Sequence, residues 1–429
     1  PEERVLLVLA DSVEFVALWY GAQKIGAVTA EAYTFLKPKD YAYYLDYTRA
    51  GVVVADPTTE GPIREAAATA RGWLREILVV DESFATRLAA ASPELDPAPT
   101  TKDDIAIWKF TTGSTGQPKA AVHPTHSPVL SCEWYARGVL DLQPDDVVLP
   151  VPKLFFGYAR DLAALFPFGV GAAGIVFPER STPERIFELI GEHRPTVLVN
   201  VPTMMAQMVG HPEHDLSSLR VCTSAGEALP KELHDRFVAT FGVEVLDGIG
   251  SSEAYHIYVS NRPGRVRPGS TGELVPGYEA HIAETGELWI EGDTAALLYW
   301  GEHEKTKETF HGDRVKTGDL FERDEDGYFW YRGRADDLIK VGGIWVAPAE
   351  IENCLLGHPA VVECAVVGVQ ENGLTLARAY VVARGQPAEE ELRAFTRERL
   401  AGHKVPREIR LVDDLPKTPS GKLDRKALR

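Results

Sequence analysis

Residues 108–123 read WKFTTGSTGQPKAAVH, and the reading of the whole chain depends on where this stretch sits. The alternating apolar segment at 105–110 has the period of a strand. It empties into Thr111, Thr112, Gly113, Ser114, Thr115, Gly116 and Gln117 before Pro118 and Lys119. Small residues with two glycines turn sharply and expose consecutive backbone N–H groups, and the hydroxyls add donors, which is how a loop wraps a polyphosphate. Lys119 adds a mobile cation. The spacing is not the G-x-x-x-x-G-K-[ST] of the P-loop. A solvated linker has the same composition, so the stretch by itself leaves both readings open.

Upstream, residues 5–30 alternate strand, helix, strand. Asp11 can cap a helix with Glu14 three positions on, Phe15, Trp19, Ala22 and Ile25 share one face, and Gly26 ends it. The pattern repeats with a helix near 39–49 before a strand at 52–55, and a helix at 63–75 before a strand at 77–80. Repeated β–α alternation predicts mostly parallel sheets with helices on both faces. The chain starts without methionine and goes straight into a strand, so residues upstream are expected to be absent.

At 429 residues the chain exceeds what one core usually serves, which predicts a large domain and a smaller one. The formal net charge of −18 argues against nucleic acid or an anionic membrane as partner. An anionic ligand would need its own lysines and arginines. Cys132, Cys222, Cys354 and Cys364 show no C-x-x-C spacing, so reduced thiols are expected rather than zinc or a disulfide framework. No window approaches 18 apolar residues and no signal-peptide layout opens the chain, which predicts a cytoplasmic protein with no membrane partner.

Downstream, GVGAAG at 169–174 has the letters of the dinucleotide fingerprint, but Pro167 precedes it and a strand-like run follows, so it is read as a tight turn. SAGEAL at 224–229 and LDGIGSSE at 246–253 follow strand-like runs, as ligand loops of parallel sheets do; ordinary strand-to-helix turns read the same way. From 286 the texture changes to short alternating strands, a small β subdomain. Beyond Asp336 a helix at 348–356, strands at 361–369 and 376–382, a helix at 389–400 and a strand at 409–412 predict a compact α+β unit. Only residues 283–285 separate two strands at 278–282 and 286–290. The basic tail, LPKTPSGKLDRKALR, reads alone as a frayed terminus.

Taken together and in order, TTGSTGQPK, GEAL, DGIGSSE, TGD, YRGRADDLIKVGG with a following EIE, and PKTPSGKLDR resemble the adenylate-forming superfamily of acyl-CoA synthetases, luciferases and adenylation domains. KLFFGY at 153–158 and EAYHI at 253–257 are most similar to its benzoate-CoA ligase branch. The resemblance implies an α/β fold: a large N-terminal domain, 1–335, of mostly parallel helix-flanked sheets plus a small β subdomain, and a small mobile α+β C-terminal domain, 336–429. It implies an AMP-forming ligase that uses ATP, Mg²⁺ and coenzyme A to activate an aryl carboxylic acid. A stand-alone enzyme that loads the pantetheine arm of a carrier protein is the alternative, and either a monomer or a homodimer is compatible.

The same resemblance implies the roles. Thr111, Thr112, Gly113, Ser114, Thr115, Gly116 and Lys119 would hold phosphates and Glu253, beside Ser252, would ligate Mg²⁺; Asp319 and Arg334 would hold the ribose. Gly226, Glu227, Asp247, Gly248 and Ile249 would frame the adenine. Lys422 would bridge carboxylate and α-phosphate, Asp336 would be the hinge, and Gly343 would flank the thiol tunnel. Phe155, Phe156, Gly157, Tyr158 and His256 would line the acid pocket. Benzoate ligases resembling this chain tend to carry alanine where Gly157 stands, so the pocket is expected to gain about one methyl of space, favouring salicylate or anthranilate over benzoate, with Tyr158 and His256 bonding the ring substituent. Ala159, Arg160 and Asp161 depart from the small apolar residues typical there.

Overall fold

The computed structural model describes residues 1–112, 117–341, 344–371, 374–417 and 423–428. The runs inside Arg4–Val8, Val52–Ala55 and Val197–Asn200 are apolar at nearly every position. A strand apolar on both faces needs both faces covered. All three lie inside seven-stranded sheets. In the first, Arg4–Val8 is flanked in parallel by Val28–Glu31 and Val52–Ala55, which are extended in parallel by Ile105–Thr112 and Glu76–Val79. Pro118–Pro124 and Leu298–Tyr299 complete one edge antiparallel.

The second sheet repeats that plan. Ala173–Gly174, Val147–Pro150, Val197–Asn200, Val221–Ser224 and Val245–Gly250 are parallel, and Ile257–Ser260 and Glu273–Leu274 add an antiparallel edge. One apolar core joins the two sheets, with Leu7, Val54 and Ala106 from the first, Val148, Val197 and Leu246 from the second, and Phe15, Trp19, Tyr135 and Leu162 from helices. The strand ends of both sheets are therefore held in fixed relation by shared packing. Glu279–Ile282, Glu287–Glu291, Arg314–Arg323 and Phe329–Arg334 form the small antiparallel sheet. Residues from 339 onward bury their own cluster, Ile339, Ile351, Val366, Val381 and Leu392 among them, between the helices Pro348–Leu356 and Glu389–Arg399 and a three-stranded sheet. No described helix is long and apolar enough to cross a membrane.

Several expectations are corrected. The cap of helix Val13–Lys24 is Ser12, whose Oγ accepts the Phe15 N–H at 3.1 Å, not Asp11. Asp11 turns inward, 2% exposed, and accepts the Leu154 N–H at 2.9 Å, so it anchors the loop ahead of Phe155. Burial pushes its carboxyl up to about 6. Ile25 is the C-cap and is exposed rather than buried. The helix expected at 63–75 runs Glu60–Ala67. Residues 246–250 continue a strand rather than open a loop, because Gly248 pairs with Ser260 across the antiparallel edge. Gly171 ends a helix in the left-handed region at φ 85°, so 169–174 contains the tight turn expected of it.

Candidate active site

The stretch 108–123 is a β-hairpin. Thr111 pairs with Lys119 and Thr112 with Pro118, so the two strands carry the chain to and from the tip. The tip residues Gly113, Ser114, Thr115 and Gly116 lie outside the described residues. Lys119 folds its Nζ over the Tyr299 ring at 3.6 Å, and the Tyr299 hydroxyl donates to Glu253 Oε1 at 2.6 Å. One aromatic residue thus fixes both the hairpin's cation and the carboxylate facing it. Burial lowers the Lys119 ammonium's pKa while Glu253 pulls it up and Arg334 pushes it down, so these groups share one field.

Asp319 and Arg334 are cross-strand partners, with Arg334 Nη1 3.3 Å from Asp319 Oδ1 and bonded to the Thr317 carbonyl at 3.0 Å. Gly318 makes room for this, since a Cβ there would lie 2.7 Å from Arg334 Nη2. Burial pushes the Asp319 carboxyl up to about 6 against the pull of Arg334, and Glu253 pushes it further. Arg334 Nε also donates to Asp336 at 3.2 Å. Asp336 sits in the short turn Ala335–Asp337 that leads to the C-terminal unit.

Ser224, which ends its strand, pairs in parallel register with Asp247 inside the next, which brings the two Gly-rich motifs side by side. Gly226 holds φ 88°, a conformation costly to any residue with a Cβ. Gly248 is required by the sheet, because a Cβ there would meet the Val259 carbonyl at 2.8 Å. Asp247 is buried and its Oδ1 has no hydrogen-bond partner, so burial holds its carboxyl well above the usual range. Ile249 is half-buried. The Glu227 carboxylate accepts from both N and Oγ1 of Thr203, at 3.1 and 2.7 Å, and so caps the helix Pro202–Met208.

The turn at 251–256 links these groups to an aromatic box. Ser252 offers its carbonyl to His123 Nε2 at 2.6 Å, and burial depresses the His123 pKa to about 3, leaving the ring neutral with Nε2–H as donor. Tyr255 holds φ 72°, one of few non-glycine residues in the left-handed region. Beyond it His256 is 4% exposed among the rings of Tyr135, Tyr158 and Phe166, at 4.9–5.9 Å between centroids. Burial depresses its pKa to about 3, so the ring is neutral, and its Nδ1 has no hydrogen-bond partner among the described residues. Phe155 and Phe156 pack 4.8 Å apart against Tyr33.

Two expectations for the acid pocket change. The Tyr158 hydroxyl is engaged by Thr223 Oγ1 at 2.6 Å, which leaves it pinned to the second sheet. The space beside Gly157 is occupied, because a Cβ there would lie 2.8 Å from both Cε and Nζ of Lys109. A methyl at 157 would meet a buried amine, so this glycine does not enlarge the pocket. Three residues not singled out from sequence belong to this region. Tyr299 gives no sequence signal within Leu-Tyr-Trp. Lys109 does, as a cation inside a strand otherwise buried. Tyr258 is buried with an unpartnered hydroxyl in the field of Asp319, Glu253 and Arg334. Lys422 and Gly343 lie outside the described residues; among the described residues of the tail, Arg425 pairs with Glu352 and Asp337.

Residues 1–300 match the family described as AMP-binding enzyme, and residues 350–422 match the AMP-binding enzyme C-terminal domain. A benzoate–CoA ligase of Thauera aromatica is 39% identical over 453 residues, which cover all of this chain and 86% of that protein. The crystal structure of a benzoate CoA ligase from Burkholderia xenovorans is 41% identical with a TM-score of 0.93, covering 100% of this chain and 90% of that one. The anthranilate CoA ligase AuaEII, solved with anthranoyl-AMP, is 36% identical with a TM-score of 0.95, over 100% and 87% of the two chains. On the match of most of its length to the family and of its whole length to these relatives, the chain belongs to the AMP-binding enzymes.

Proposed function

We propose that the chain joins an aryl carboxylic acid, a benzoate or a hydroxy- or aminobenzoate, to coenzyme A in two steps. The acid's carboxylate oxygen attacks the α-phosphorus of ATP, a P–O bond forms and pyrophosphate leaves. The thiol of coenzyme A then attacks the acyl carbon, a C–S bond forms and AMP leaves. The observation that carries this reading is the turn at 251–256, which presents Glu253 to the Lys119–Tyr299 pair and, three residues on, His256 to an aromatic box. A carboxylate beside the hairpin's cation and a neutral ring in an aromatic cluster on one turn suit a reaction that brings a ring-bearing carboxylate to a nucleotide.

Each group has a physical task. The hairpin 111–119 supplies N–H groups, hydroxyls and the Lys119 cation to the β- and γ-phosphates. Asp319 accepts from the ribose hydroxyls and Arg334 holds that carboxylate in place. Gly226, Glu227, Asp247, Gly248 and Ile249 frame the adenine, with the unpartnered Asp247 oxygen available as an acceptor. Glu253 is an oxygen donor of the kind Mg²⁺ selects, and one carboxylate beside a phosphate site suits an ion carried in with the nucleotide. Bound there, Mg²⁺ would screen the phosphate charge. Lys422 stabilises the charge developing between carboxylate and α-phosphate, and a rotation about Asp336 then exchanges it for the segment holding Gly343, where the pantetheine arm passes close to backbone. The domains divide there, 1–335 and 336–429.

Phe155, Phe156 and His256 favour a flat rigid acid that loses little entropy on burial. The test is pyrophosphate release across benzoate, salicylate, anthranilate, the other hydroxybenzoates and octanoate, followed by AMP release with coenzyme A or a carrier domain as acceptor. An aryl acid should lead and coenzyme A should serve. Octanoate ahead of every aryl acid would overturn the substrate class, and turnover only with the carrier domain would overturn the acceptor.

A further inference from the structure

Lys109 is 5% exposed, in the strand that leads into the phosphate hairpin. Its Nζ donates to Asp161 Oδ2 at 2.5 Å and to the Tyr255 carbonyl at 2.6 Å, and lies 3.6 Å above the Tyr255 ring. Those contacts engage the ammonium on three sides. Around it Arg160 pairs with Asp161 at 2.9 Å and with Glu31 at 2.6 Å, so two cations and two carboxylates balance in a buried cluster. Asp161 follows Tyr158 on the next turn and opens a π-helical segment, Asp161–Leu165, that leads into Phe166 of the His256 box. Insertions of this kind mark places where a helix is bent to aim side chains.

We propose that Lys109 is a positioning residue for the adenylation step, holding Tyr255 in its left-handed conformation, and that Gly157 is glycine to admit it. Left-handed backbone at a buried tyrosine persists only where its surroundings over-determine it. Here the carbonyl and the ring of Tyr255 are both gripped by one ammonium, which Asp161 anchors to the helix carrying Tyr158. Reversing the chain at Tyr255 sends Glu253 towards Lys119 and Tyr299 and His256 into the aromatic box. A side chain at 157 would displace the amine, release the Tyr255 carbonyl and let both aims drift together.

This proposal rests on the function proposed above, and a cycle of Lys109→Ala, Gly157→Ala and the double variant tests it, with Lys109→Met as a variant that keeps the stem. Each single change should raise the KM for the aryl acid and slow pyrophosphate release by roughly 10- to 100-fold, the upper figure being the cost of a misplacement near 1 Å. The KM for MgATP should rise with it, because Glu253 drifts together with His256, while the affinity for AMP, whose ribose and adenine groups lie on other strands, should hold. The double variant should be no worse than Lys109→Ala, because the added methyl then enters space already vacated. Melting temperatures of the four proteins should show the same non-additivity without any substrate. Independent, multiplying effects in kinetics and melting, or a Gly157→Ala enzyme with an unchanged acid KM, would overturn the proposal. If the wild-type chain activates no aryl acid the proposed function fails, while the melting cycle still decides whether Lys109 and Gly157 act as a pair.

Discussion

Tyr299→Phe isolates the hydroxyl that orients Glu253. The phenylalanine keeps the ring under Lys119, so the cation–π contact at 3.6 Å survives while the 2.6 Å hydrogen bond to Glu253 is lost. A hydrogen bond to a charged group contributes about 1.5–3 kcal/mol, which corresponds to roughly 10- to 100-fold in rate or affinity. Glu253 is half-buried, so water can replace part of the lost bond, and the effect should fall near the lower end, about 10-fold. It should appear where Glu253 acts. Pyrophosphate release measured against Mg²⁺ at saturating ATP and acid should require more metal, while thioester formation from preformed adenylate is unchanged. A Mg²⁺ dependence superimposable on the wild type would refute the assignment of Tyr299 as the group that aims Glu253.

Lys422→Ala should slow adenylation by about 10²- to 10³-fold, the loss seen when one transition-state donor is removed, and spare thioester formation from preformed adenylate; equal loss in both steps would sink the two-conformation account. Asp336→Pro should do the converse, because fixing φ at a hinge blocks rotation rather than chemistry, and intact thioester formation would place the hinge elsewhere. Asp319 holds its proton up to about pH 6 in the folded chain against 3.8 when unfolded, so between those values the folded state binds more protons and this group's contribution to stability falls as pH rises. Ribose binding needs the ionised form, so the KM for ATP should rise as pH falls through 6, and an Asp319→Asn enzyme that keeps the wild-type profile would exclude this carboxyl as the cause.

The parallel sheets were legible because their strands are continuous apolar runs bounded by helix signals, and that pattern has few other solutions. Strand Val52–Ala55 and helix Pro348–Leu356 match the expected bounds for this reason. The cap of the first helix is not decided by local sequence, because Asp11 and Ser12 are both competent caps, and what separates them is Leu154, distant in sequence, whose N–H claims the aspartate. Two glycines make residues 246–250 read as a loop, whereas they are small to let the neighbouring backbone approach, with the His256 carbonyl in the way of any Cβ at Gly250. The site motifs were legible in order but their partners were not. Nothing in the local sequence joins Tyr299 to Glu253 or Lys109 to Gly157, since those contacts arise from the packing of the sheets.

The charge arrangement explains why a chain at −18 can receive a polyphosphate. The two described cations proposed to meet the nucleotide are each restrained by this chain's own groups, Arg334 by Asp319 and Asp336, and Lys119 by the Tyr299 ring beside Glu253. Restraint lowers their conformational cost on binding, but the adjacent carboxylates cancel much of their field. Unaccompanied ATP therefore meets nearly balanced charge, and a divalent cation on Glu253 would turn that carboxylate from a repulsive group into a bridge. On the role proposed for it, Lys422 adds a further cation, and because it belongs to the C-terminal unit the positive charge available to the α-phosphate would depend on where that unit sits. Adenylation, which gathers negative charge at the α-phosphorus, would then require the unit docked. Thioester formation, which releases AMP, would gain from the same cation being withdrawn, so that one hinge would serve opposite electrostatic demands in sequence.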